Sequence, residues 1–215
     1  MPASVPIEGL GRKLRVGFVG GGLDSVIGQA HLISLRTDGM ADIVAGAFSI
    51  DPEVGRATGR SLLLEEDRIY ASWHDMLERE QQRDDRIDAV VVITPPALHG
   101  VVSSAFLDAG FHVLCEKPMT ANADQAVALH RDVADSGLTF AVAHCYTGYP
   151  MVREARELVA SGALGTIRMI EAEHAAGGPD MVASLPTRRL AIGVSVSRRW
   201  VRRVCWARSA RTRTI

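Results

Sequence analysis

The sequence predicts an α/β fold built on a doubly wound parallel sheet, followed by the start of a second α/β domain. Two observations carry this. Between residues 14 and 143, short β-branched runs alternate with segments of helical spacing, which is the signature of repeated βαβ units. One run, Ala89-Val90-Val91-Val92-Ile93-Thr94, is almost continuously apolar, as a strand covered on both faces must be.

Taken in order, the strand runs are LRVGFVG (14–20), ADIVAGAFS (41–49), IDAVVVIT (87–94), FHVLCE (111–116) and LTFAVAH (138–144). The intervening helical segments are SVIGQAHLISLR (25–36), DPEVGRATGRSLL (51–63), SWHDMLEREQ (72–81), ALHGVVSSAFLDAG (97–110) and NADQAVALHRDVADSG (122–137). Gly110 and Gly137 follow the last periodic residues of two of them, as glycines that close helices do. A further helix, YPMVREARELVASGALG (149–165), precedes TIRMIEAEHA (166–175), which alternates like a half-buried strand. The predicted organisation is a first domain over 13–145, the start of a second over 146–180, and an irregular basic tail over 181–215.

Composition narrows the class. No apolar run approaches the roughly 18 to 20 residues of a membrane span, so no membrane association is expected. The stretch MPASVPIEGLGRK lacks the apolar core of a secretory signal. Cys115, Cys145 and Cys205 are scattered in no metal-binding spacing, which fits a reduced cytoplasm and predicts no metal site. All 25 acidic residues lie at or before Asp180, whereas nine arginines lie between Arg188 and Arg213.

The chemistry gathers where strands end. Gly20, Gly21 and Gly22 sit at the first strand-to-helix turn, where a dinucleotide's pyrophosphate meets backbone N–H groups and a helix N-terminus. The match to G-x-G-x-x-G is imperfect, because Ser25 occupies the third position and the next glycine is Gly28. The second strand ends at Ser49, which cannot repel a 2′-phosphate. Asp51 reads as the N-cap before Pro52. The cofactor therefore stays open between NAD and NADP. Thr94 and Pro95 lie where open α/β sheets bind ligands. His99, on the next helix's first turn, reads alone as a solvated histidine.

Lys117 stands out because the chain has only two lysines, Lys13 and Lys117, against 22 arginines. Between Glu116 and Pro118 at the mouth of a strand, it can bond a substrate hydroxyl or a cofactor and can exchange a proton. Glu116 can orient a ribose or the lysine itself.

"VGGG…IG…H", "TPPALH", "CEKP" and "AHCYTGYPMVREARELVASGALGTIR", in this order, resemble the Gfo/Idh/MocA family of NAD(P)-dependent oxidoreductases over roughly residues 13–175. The resemblance implies a Rossmann domain followed by an α/β domain with a large open sheet. It implies Lys117 as the catalytic lysine, Glu116 as a nicotinamide-ribose contact, and Thr94, Pro95 and His99 as a cofactor motif. It also implies a cis peptide before Pro118, hydride transfer between the nicotinamide and a sugar or cyclitol carbon, and a homo-oligomer for the full-length family.

One departure is large. The family carries a glycine-rich stretch, an aspartate and a histidine in its second domain, but here no histidine follows His174 and no acid follows Asp180. The tail has three readings: out-of-frame translation, a disordered extension, or a nucleic-acid arm. The first leads, because one choice of codons for 200–215, read two bases on, yields a glycine-rich, histidine-bearing segment. The nucleic-acid reading has only arginines interleaved with Trp200 and Trp206 behind it. The functional alternative to an oxidoreductase is an inactive nucleotide-binding remnant.

Overall fold

The computed structural model describes residues 10–171. The basic tail and the end of the 166–175 segment lie outside the described residues. The chain divides into two compact units, meeting between Cys145 and Tyr146.

In the first unit the strands are β1 (Leu14–Gly20), β2 (Ala41–Ala47), β3 (Ala89–Ile93), β4 (His112–Cys115) and β5 (Phe140–Val142). All pair in parallel, in the order β2-β1-β3-β4-β5. Ile69 adds a single parallel bridge to Gly46 on the outer side of β2. Counted with that bridge, the order is that of the Rossmann sheet, which reverses between β1 and β3.

The helices are α1 (Val26–Thr37), α2 (Pro52–Ser61), α3 (Trp73–Gln81), α4 (Pro96–Asp108) and α5 (Ala123–Ser136). Their starts are chemically marked. Ser25, Asp51, Ser72 and Asn122 each accept first-turn N–H groups through their side chains, satisfying donors that a helix cannot satisfy itself. Asp51 is thus the cap that its position before Pro52 suggested. Gly137 ends α5 in the left-handed region, at φ 68°.

Two apolar layers cover the sheet. On one face Leu32 and Leu35 of α1 pack with Val16, Phe18, Phe48 and Val91. On the other, Met76 of α3, Val102 and Phe106 of α4 and Leu129 of α5 pack with Val90, Val92 and Val113. Alternate residues of β3 serve opposite faces, which accounts for its unbroken apolar run. Each fully buried side chain of this size contributes roughly 1.5–3 kcal/mol.

Beneath the outer edge lies a buried polar knot. Glu80, with no exposed surface, accepts from Arg68 Nε and Nη2 (3.1 and 2.7 Å), Tyr70 Oη (2.7 Å) and Ile87 N–H (2.9 Å). Burial, then the bond to Glu80, raises the Tyr70 phenol above its ordinary value.

The described part of the second unit holds α6 (Pro150–Ala160), then a turn and a segment without regular structure. Thr166–Glu171 forms no strand and is almost wholly exposed. This corrects the expected half-buried strand over its described part. Alternation gives a segment one apolar face, but a strand also needs a neighbour to complete its hydrogen-bond ladder, and these residues pair with none among those described.

Candidate active site at the sheet edge

The parallel strands deliver their carboxyl ends to one edge, and most of the predicted residues meet there. Gly20 ends β1 opposite Ile93 of β3. A Cβ on Gly20 would lie 2.5 Å from the Ile93 carbonyl oxygen and 3.2 Å from the Thr94 nitrogen. Gly20 and Gly21 have φ of 82° and 76°, which turn the chain sharply into α1 at a cost only glycine escapes.

Gly28 supplies the packing that the third glycine of the fingerprint supplies. A Cβ there would stand 2.4 Å from the Gly21 carbonyl oxygen. Ser25, in the position where the fingerprint places glycine, caps α1 by accepting from Gly28 N–H at 3.0 Å. The first-turn N–H groups of Val26 and Ile27 take no partner among the described residues.

Thr94 follows β3. Its Oγ1 is buried and unpartnered among the described residues, a costly arrangement unless a ligand completes it. Pro95 caps α4 and Pro96 opens it. His99, one turn on, is 1% exposed. Its Nδ1 lies 2.6 Å from the Pro118 carbonyl oxygen and its Nε2 2.7 Å from that of Thr94. Both partners only accept, so a ring with one N–H donates to one of them, and the tautomer decides which. The solvated reading of this histidine is thereby overturned. With one ring nitrogen facing each carbonyl, His99 spans the two loops.

Glu116 continues β4, its N–H bonding the Val92 carbonyl at 2.9 Å. Its Oε1 is 2.8 Å from His31 Nε2 on α1, and its Oε2 accepts from Lys117 N–H at 3.0 Å. The Lys117–Pro118 bond is cis. Lys117 itself is exposed, and its Nζ makes no hydrogen bond among the described residues. Cys115 lies just beneath, where burial, with the nearby Glu116 charge adding to it and Ser103 opposing it, pushes the thiol above its usual value.

Ser49 sits apart from this cluster, past the end of β2. Its Oγ accepts from Asp51 N–H at 3.1 Å, and it borders a cavity of about 110 Å³ lined also by Pro52, Arg56, Glu66 and Tyr70. Arg56 pairs with Glu53, and Glu66 with Arg60 at 2.7 Å. His31 was the residue whose contact sequence reasoning missed. It stood in the glycine-loop motif, but no spacing rule connects it to a glutamate 85 positions away.

The residues present fit a dinucleotide. A tight glycine turn faces a helix start whose first N–H groups, like the buried Thr94 hydroxyl beside it, have no partner among the described residues. A Cβ on Gly22 would crowd Asp24, Val54 and the Phe48 carbonyl at 3.1–3.4 Å.

The model of the oxidoreductase family with an NAD-binding Rossmann fold, GFO_IDH_MocA, matches residues 14–144. The chain is 38% identical over 111 residues to a D-xylose 1-dehydrogenase (NADP(+)) of Haloferax volcanii, a match covering 52% of this chain and 32% of that one. It is 30% identical over 172 residues to an inositol 2-dehydrogenase of Corynebacterium glutamicum, covering 77% and 46%. An inositol dehydrogenase homolog from Azotobacter vinelandii, solved with NADH and myo-inositol, matches at a TM-score of 0.71 and 36% identity, covering 75% and 43%. The chain spans less than half the length of the curated relatives it matches. No helix among the described residues is long and apolar enough to cross a membrane.

Proposed function

The chain belongs to the Gfo/Idh/MocA oxidoreductase family with its NAD-binding Rossmann fold, and from that premise we propose that it binds NAD(H) or NADP(H) at this edge, for hydride exchange with a sugar or cyclitol hydroxyl carbon. The observation that carries the reading is the convergence of the glycine turn, the orphan Thr94 hydroxyl and the Glu116–Lys117 loop on adjacent strand ends.

In this reading Gly20, Gly21, Gly22 and Gly28 form the pyrophosphate cradle, with the α1 N-terminus favouring negative charge. Thr94 and Pro95 border the cofactor. Glu116 accepts from the nicotinamide ribose hydroxyls. His99 positions Thr94 and the Pro118 loop through their carbonyls. The bound nicotinamide supplies the hydride acceptor or donor. Lys117, whose Nζ makes no hydrogen bond among the described residues, takes the hydroxyl proton as an amine when the alcohol carbon loses hydride. In the reverse direction it returns that proton as an ammonium.

Ser49, uncharged where a carboxylate would reject a 2′-phosphate, leaves room for either cofactor. The Haloferax relative is named for NADP+ and the Azotobacter homolog was solved with NADH. The free thiols Cys115 and Cys145 suit the reducing cytoplasm. Calorimetric titration with NADH and NADPH tests the reading. Saturable binding of either supports it, and a folded chain that binds neither removes it.

A further inference from the structure

We propose that His31 is a positioning residue for the nicotinamide half of the site, holding Glu116 and so joining the glycine-loop helix to the loop that carries Lys117. The inference rests on the reading of Glu116 as a ribose contact.

Three contacts make the connection. Gly28 seats α1 directly on Gly21, with no space for a Cβ between them. His31 stands one turn further along α1, and its Nε2 lies 2.8 Å from Glu116 Oε1. An ionised carboxylate only accepts, so Nε2 carries the proton. The second carboxylate oxygen accepts from Lys117 N–H at 3.0 Å. Both side chains are largely enclosed, at 13% and 14% exposure, so water competes weakly for the bond. The far side of the loop is held independently, by His99 on the Pro118 carbonyl.

A free glutamate side chain would have to be ordered each time the ribose bound. Ordering it beforehand removes that entropy from the binding step. His31 therefore strengthens the half of the cofactor that Glu116 touches and leaves the adenosine and pyrophosphate half alone. A merely structural histidine would affect both.

The experiment is calorimetric titration of the full chain with NADH and with ADP, which lacks the nicotinamide ribose. The proteins are the parent, His31→Leu, His31→Gln, Glu116→Gln and the double variant His31→Leu/Glu116→Gln. We expect His31→Leu to weaken NADH by about tenfold with ADP unchanged. His31→Gln, which retains an N–H at similar reach, should recover most of the loss. The double variant should bind NADH no more weakly than Glu116→Gln, because the two residues act as one unit. Equal weakening of NADH and ADP by His31→Leu would overturn the proposal. So would weakening by Glu116→Gln without weakening by His31→Leu, which leaves the ribose reading standing. If Glu116→Gln leaves NADH untouched, the ribose reading fails and the proposal falls with it.

Discussion

A Cβ placed on Gly28 would stand 2.4 Å from the carbonyl oxygen of Gly21. Helix propensity alone would make alanine at this position better by about 1 kcal/mol, but the clash with backbone reverses the sign. Gly28→Ala should destabilise the fold by about 1–3 kcal/mol and weaken dinucleotide binding, because α1 must lift off the loop. Gly55→Ala is the control. Its Cβ would meet Ser49 backbone atoms at ordinary contact distances of 3.7 and 3.9 Å, so propensity should prevail and stability should hold or rise. Urea denaturation of both variants checks this. Equal behaviour would contradict the packing role of Gly28.

The Glu80 knot predicts a second asymmetry. Glu80→Ala leaves the buried Arg68 guanidinium without its main partner, and the Tyr70 hydroxyl and Ile87 N–H without an acceptor. Removing one member of a buried pair costs about 3–5 kcal/mol. Chemical denaturation should register that loss, and a change below about 1 kcal/mol would mean that water reaches the site.

Asp88 makes stability depend on acid. Burial alone would raise its carboxyl. The bonds from Arg12 and from Arg15 N–H, with their charges, more than offset that and hold it below the usual carboxylate range. A depressed folded-state value adds stability above the unfolded value of about 3.9 and loses it as pH falls through the folded one. Asp88→Asn should therefore be less stable than the parent near neutrality, and the gap should narrow progressively below about pH 4. Thermal melts from neutral to acid pH measure it. A gap that is constant or widening down to the lowest pH at which both remain folded would contradict this.

Strands, helices and the sheet edge were legible because each rests on local signals. The apolar run at 89–94, the cap at Asp51 and the glycine after α5 each declare themselves within a few residues. The outer strand was not legible, because Ile69 forms a single bridge, too short for any periodicity to register. Thr166–Glu171 misled in the opposite sense, since alternation encodes a face but not a partner. His31 and His99 acquire their roles from Glu116, Thr94 and Pro118, contacts made by the tertiary fold across 85, 5 and 19 positions. Lys117 lies just past the carboxyl end of β4, where the apolar run before it points. Its exposure, however, belongs to the surface around it, which sequence alone does not describe.

The turn from Gly20 to Gly28 is the proposed cradle for a dinucleotide's pyrophosphate. The most direct measurement is calorimetric titration of the parent chain and of Gly22→Asp with NADH and NADPH, with circular dichroism confirming that both are folded. An aspartate at that position adds bulk where a Cβ already meets atoms at 3.1–3.4 Å and sets a carboxylate against the phosphates. The parent should bind one dinucleotide saturably, and Gly22→Asp should weaken that binding by at least about a hundredfold. A folded parent that binds neither dinucleotide, or a Gly22→Asp variant that binds as tightly as the parent, would contradict it.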